Sequence, residues 1–148
     1  MNPLLQDRLE KFAGNTRKLR GKFVLRGTLL KRFAALLYAF EDREIDPAAV
    51  RDCMELIRKQ TGMFSSFRGN AHLTLAAMLS LKDARETRLQ NALEVYRRMR
   101  AAGFRASDFT AIAAFLVAEH ARKDRYDRII DRAEQFYRGM KKKHFLLT

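Results

Sequence analysis

The sequence predicts an all-α protein, and three observations carry that prediction. Apolar residues recur at helical spacing along almost the whole chain, as in Leu29, Leu30, Phe33, Leu36, Leu37 and Phe40. Only two prolines and seven glycines interrupt 148 residues. No run alternates apolar and polar residues with the β-branched enrichment that strands require.

Taken in order, the elements follow from local start and stop signals. Asn2-Pro3 opens a helix as cap and first helical residue, since the missing proline N–H costs nothing there. Leu5, Leu9 and Phe12 give it an apolar stripe, and Gly14-Asn15 ends or weakens it. Leu19, Phe23 and Val24 resume the stripe among bases, and Gly27-Thr28 reads as a second break with Thr28 as cap. The next helix, from Leu29 to Phe40, is apolar over much of its circumference and is predicted to be an inner one. Asp46-Pro47 starts another, with Val50, Met54 and Ile57 on its buried face, ending at Gly62 as a left-handed C-cap.

The longest break follows, Thr61-Gly62-Met63-Phe64-Ser65-Ser66-Phe67-Arg68-Gly69-Asn70. Asn70 is expected to cap a short helix bearing Leu73, Ala76, Ala77 and Ser80, with Gly69 in a left-handed turn. Asp83-Ala84-Arg85-Glu86 has capping-box spacing before a helix with Leu89, Ala92, Tyr96 and Met99, which ends at Gly103. Ser107 caps a helix through Phe109, Ile112, Ala113, Leu116 and Val117. Asp124 starts the last, with Ile129, Ile130, Ala133, Phe136, Tyr137 and Met140, closed by Lys141-Lys142-Lys143 where cations favour the helix dipole. About seven helices result.

A weak repeat joins them. Ala34-Ala35-Leu36-Leu37, Ala76-Ala77-Met78-Leu79 and Ala113-Ala114-Phe115-Leu116 are separated by 42 and 37 residues. Each is followed by a charged turn and a longer helix, finishing at Gly62-Met63-Phe64, Gly103-Phe104 and Lys143-His144-Phe145. A period of about 40 with two helices per unit predicts stacked helical hairpins, a right-handed array of the HEAT or TPR kind. The units are about 28–67, 70–106 and 107–148 within a single helical-repeat domain over 1–148. The Phe residues of the long break are expected to plug the seam between units. Phe145…Thr148 repeats the spacing of Phe104…Ser107, so the chain is expected to continue into a fourth unit.

The Ala-Ala-Leu-Leu-Tyr-Ala helix of residues 34–39, the Thr61–Asn70 stretch and the Tyr96…Ala102-Gly103-Phe104 ending together resemble the uncharacterised bacterial domain-of-unknown-function family numbered 4003. The resemblance covers nearly the whole chain, and Phe-Arg-Gly-Asn is its most specific part. It implies a helical cytoplasmic protein whose members are about twice this length, and it implies no activity.

Charge is the unusual bulk property. Thirty Lys+Arg against seventeen Asp+Glu leave +13. Eight bases and no acid lie between Lys11 and Arg32. Such a field draws polyanions: nucleic acid, an anionic lipid surface or an acidic protein. Apolar runs fall short of the roughly 20 residues a membrane span needs. The N-terminus lacks the basic and apolar regions of a signal peptide, and the lone Cys53 forms no internal disulfide, so a cytoplasmic location is expected.

Chemistry is thinly represented. His72, His120 and His144 form no His-Glu-x-x-His or Glu-x-x-His pair, so neither metal nor cofactor is expected. Cys53 stands beside Asp52, whose charge disfavours a thiolate, and Ser65, Ser66, Ser80 and Ser107 read as loop or cap residues. No catalytic residue is assigned. The residues expected to touch an anion or a partner are Arg68 and Asn70 at a helix start, and Arg17, Lys18, Arg20 and Lys22 in the basic segment. The function expected is a non-enzymatic binding or scaffold module for a protein or peptide. A nucleic-acid-binding protein, using Lys11–Arg32 and the arginines of the longer helices, is the alternative.

Overall fold

The computed structural model describes residues 2–143 and is all-α. Seven α-helices and two single 3-10 turns occur among the described residues: α1 (Pro3–Lys18), α2 (Thr28–Phe40), α3 (Pro47–Gln60), a turn at Ser66–Arg68, α4 (His72–Ser80), α5 (Arg85–Ala101), α6 (Asp108–His120), a turn at Lys123–Arg125, and α7 (Tyr126–Lys143). No strand is present among them. The third aromatic ending at Lys143-His144-Phe145 and the Phe145…Thr148 spacing fall outside them. The chain divides into two compact units, Met1–Glu86 and Thr87–Thr148.

In the first unit α1 lies along α2, α3 along α4, and α2 against α4. The centre is α4, buried at His72, Leu73, Thr74, Leu75, Ala76, Ala77, Leu79 and Ser80. Around it stand Ala34, Ala35, Tyr38 and Ala39 of α2, Val50, Cys53, Met54 and Ile57 of α3, and the loop residues Leu19, Ile45 and Phe67. The helix starts at Asn2-Pro3 and Asp46-Pro47 form as their sequence dictates. The Asn2 side chain accepts from Leu4 N–H, and Asp46 accepts from Ala48 and Ala49 N–H.

Several local expectations give way to packing. α2 buries its alanines and turns Leu29, Phe33 and Phe40 outward, because close approach to α4 demands small side chains on the shared face. Gly27 rather than Thr28 occupies the cap position of α2, without a side-chain bond. Thr61 ends α3 in extended conformation, so Gly62 is not a left-handed cap. Ala71, not Asn70, precedes α4, and Gly69 has φ of −78°. Within the long break only Phe67 is buried, while Met63 and Phe64 are exposed and plug nothing.

Gly14-Asn15 does not end α1. Asn15 is its one buried residue, and all of its amide is used. Nδ2 donates to Ala35 O (3.2 Å) and Arg43 O (3.0 Å), and Oδ1 accepts from Ile45 N–H (2.7 Å). One side chain thereby fixes α1 to α2 and to the connection before α3.

The second unit has a core of Val95, Met99, Ala114, Tyr126 and Ile130. Arg88 makes a bidentate pair with Glu119 (2.7 and 2.9 Å) and lies 5.7 Å over the Phe115 ring. α5 ends in a Schellman motif: Gly103 has φ of +100°, Phe104 N–H bonds Met99 O and Gly103 N–H bonds Arg100 O. Ser107 caps α6 through Thr110 N–H. As in α2, α6 buries small residues, Thr110, Ala111 and Ala114 with Phe115, and turns Phe109 and Leu116 outward.

Replacing Asn15 with Leu keeps the number of side-chain heavy atoms but removes all three bonds, leaving the buried Ile45 N–H without its acceptor. The expected cost is about 3 kcal/mol, from the desolvation penalty of unpaired buried polar groups. It is measured by urea unfolding followed by circular dichroism, the chain having no tryptophan. A loss below about 1 kcal/mol would show that Asn15 is not the tie described.

Candidate functional site

Two surfaces stand out, one in each unit. In the first unit the segment between α1 and α2 is a compact series of turns with Gly21 at φ +74° and Phe23 at φ +50°. Three anchors hold it. Leu19 is buried, Phe23 lies 5.8 Å under the Arg51 guanidinium, and Arg26 reaches back to the Ser65–Ala71 joint. There Arg26 donates to Gly69 O (3.1 Å) and to His72 Nδ1 (2.9 Å). Between the anchors Val24 and Leu25 point outward, Leu25 being 98% exposed.

His72 is buried at the first position of α4. Its Nε2 lies 3.0 Å from Met54 O, a carbonyl that only accepts, so Nε2 carries the proton and Nδ1 accepts from Arg26. Burial pushes the imidazole below its ordinary value, the Met54 bond opposes this, and the charges of Arg26, Arg58 and Arg68 add to the lowering. Burial likewise lowers the Arg26 guanidinium, with Arg58 adding to it.

The expected contact residues are scattered over this region. Arg68 ends the 3-10 turn half-buried, and its guanidinium makes no hydrogen bond or ion pair among the described residues. Asn70 is exposed. Lys18 is paired with Glu44, and Lys11 with Asp42 at 2.5 Å, a bond that holds the Asp42 carboxyl below the usual range. Arg17 is exposed in the last turn of α1. Lys22 is exposed, and its carbonyl takes a long bond (3.5 Å) from Lys31 Nζ. Arg20 lines a cleft of about 260 Å³ with Thr16, Leu19, Gly21, Thr28, Lys31 and Arg32. Sequence reasoning names His72 only in asking for a metal pair, Asn15 only in a helix stop and Arg26 only as one of eight bases, and gives none of them these ties. The one available signal was Asn15 itself, a polar residue at helical spacing between Phe12 and Leu19 on an otherwise apolar stripe.

In the second unit the Schellman joint and the second half of α7 form an open cleft. Two adjoining cavities of about 290 and about 350 Å³ share Gly103, Phe104, Tyr137 and Lys141. Phe104 and Tyr137 pack with ring centroids 6.3 Å apart, and Phe109 lies at the edge, largely exposed. Phe136 and Met140 extend the apolar surface along α7. The rim is cationic: Arg105, Arg138 and Lys141. Arg138 is engaged by Glu134 (2.9 Å) and Lys141 lies 5.1 Å over the Tyr137 ring, whereas Arg105 has no side-chain partner among the described residues.

For chemistry the described residues offer little. No group of three or more His, Cys, Asp or Glu side chains is arranged to hold a metal ion among them. Cys53 is buried in α3. Among the described residues no helix is long and apolar enough to cross a membrane.

Fold and surfaces together define an all-α protein with a basic cleft in its first unit and an aromatic, base-edged cleft in its second. The chain belongs to the family described as Protein of unknown function (DUF4003), whose model matches residues 15–148. No curated protein and no solved structure matches it.

The neutral, buried His72 gives stability a definite pH dependence. An unfolded chain takes up a proton near 6.5, while the folded protein resists it. Stability is therefore full above that pH and falls as pH drops through it toward the lowered folded value. Urea midpoints at about pH 7.5 and about pH 5.5 should differ in the wild type and differ much less in His72→Gln, which keeps a donor and an acceptor but does not titrate. An equal fall in both proteins overturns this assignment.

Proposed function

We propose that this protein is a non-enzymatic binding or scaffold module of helical hairpins, and that a protein or peptide partner docks in the aromatic cleft of the second unit. The carrying observation is the cleft itself. Phe104 and Tyr137 form its floor, Phe109 stands exposed at its edge, and free cationic charge lies on its rim. Large aromatics in a concave site supply contact area at small entropic cost, and binding hot spots favour them. The chemistry fits a segment with one large apolar side chain followed or preceded by acids, the anchor lying against Tyr137 and the carboxylates near Arg105 and Lys141. The packing of Ala-rich α2 on Ala-rich α4 in the first unit supports the hairpin reading, since small residues at inner positions are what stacked hairpins need.

The alternative partner, nucleic acid, has weaker support. Of the eight bases between Lys11 and Arg32, Lys11 and Lys18 are ion-paired and Arg26 is turned inward. Among the arginines of the longer helices, Arg98 is held by Glu94 and Asp127, and Arg122 by Asp124. Charge reversal at Lys18 would also break its pair with Glu44.

Selection of a random peptide library on the protein should enrich segments with an aromatic or large aliphatic residue beside Asp or Glu. Tyr137→Ala together with Phe109→Ala, both partly or largely exposed, should weaken the selected peptide at least tenfold, about 1.4 kcal/mol. Absence of enrichment, or equal affinity for the double variant, would defeat the proposal.

A further inference from the structure

We infer that the turn between α1 and α2, with the first turns of α2, is a docking surface for an anionic phospholipid bilayer. The observations are distinct from those at the aromatic cleft. Val24, Leu25, Leu29 and Phe33 are all exposed, Leu25 almost completely. The anchors at Leu19, Phe23 and Arg26 hold the turn on both sides of the pair, so the exposure of Val24 and Leu25 is built into the fold.

Cations flank this apolar tip along the chain. Arg20, Lys31 and Arg32 line the cleft beside it, and Lys22 precedes it. None of the four has an acidic partner among the described residues, although Asp42 and Glu44 neutralise Lys11 and Lys18 nearby on the chain. On α2, Leu29, Arg32 and Phe33 are spaced i, i+3, i+4, so apolar and cationic side chains share one face. The cleft of about 260 Å³ between Arg20, Thr28, Lys31 and Arg32 suits a headgroup phosphate. A second copy of the chain is a poor occupant, since a symmetric contact would set these four cations against their own equivalents. Nucleic acid accounts for the charge and leaves Val24 and Leu25 in water. A bilayer satisfies both: the apolar residues enter the headgroup boundary while the bases meet lipid phosphates.

The test is co-sedimentation of the full chain with vesicles, one set of pure phosphatidylcholine and one containing about 30% phosphatidylglycerol. Binding is expected to the anionic vesicles only. Leu25→Glu, at a fully exposed position that leaves the core untouched, should weaken it at least tenfold, as should Arg32→Glu. Circular dichroism confirms that both variants remain folded. No sedimentation with anionic vesicles overturns the inference. So does equal binding by wild type and Leu25→Glu, which would place the contact elsewhere on the protein. Binding of a single-stranded oligonucleotide without vesicle binding, or self-association lost in Leu25→Glu without vesicle binding, overturns it in favour of nucleic acid or a dimer.

Discussion

The first unit is arranged around the burial of α4. A nine-residue helix with eight buried positions has no polar face, so the unpaired backbone groups at its ends must be satisfied by neighbours rather than by water. At its C-terminal end, Ser80 Oγ donates to Ala77 O, Arg85 donates to Ser80 O, and Arg43 donates to Leu81 O. Tyr38 of α2 closes the same end by bonding Ser80, with Arg43 lying 5.8 Å over its ring. At the N-terminal end His72 bonds Met54 O and Arg26, and Arg26 also takes Gly69 O. Thus α2, α3 and both flanking loops are positioned by the polar needs of one apolar helix.

That arrangement has a consequence for the surface. Because α2 meets α4 through alanines and Tyr38, its Leu29, Phe33 and Phe40 are left facing outward. Because Arg26 is drawn inward to α4, the turn that carries it is pulled tight, and the residues just before Arg26 stand out. The exposed apolar side chains of the α1–α2 turn are therefore a by-product of how α4 is held. α6 of the second unit follows the same rule, burying its small residues and presenting Phe109 and Leu116.

What the sequence made legible follows from this distinction. Caps whose bonds are made within three residues were readable, as at Asn2, Asp46 and Ser107, and so was the left-handed Gly103. The buried stripe of α3 was readable too, since Val50, Met54 and Ile57 face one way whatever lies opposite. Thr28, Gly62, Gly69 and Asn70 each carry strong local turn chemistry that the backbone here does not use, and at Gly69 a long-range bond from Arg26 holds the carbonyl instead. The faces that α2 and α6 bury are harder to read for a different reason. Periodicity marks the largest apolar residues, whereas close helix contact selects the smallest. Of the surfaces, the basic segment was visible as composition, but the anchors that orient it, Arg26 to His72 and Arg51 to Phe23, span 46 and 28 residues and leave no local trace.

The thirty bases do not all do the same work. Arg26, Arg43, Arg85, Arg88 and Arg98 hold carbonyls, a ring nitrogen, carboxylates and aromatic faces, and they belong to the architecture. A guanidinium suits that work, since its planar fork bonds two acceptors while its face covers an aromatic ring. Arg17, Arg20, Lys22, Lys31 and Arg32 have no acidic partner among the described residues, and all lie between residues 17 and 32. A surplus spread evenly over the chain would speak only to solubility. Five bases without an acidic partner stand together at the end of α1, the α1–α2 turn and the start of α2, on the same stretch as exposed leucine, valine and phenylalanine, and there the surface suits a partner both anionic and apolar.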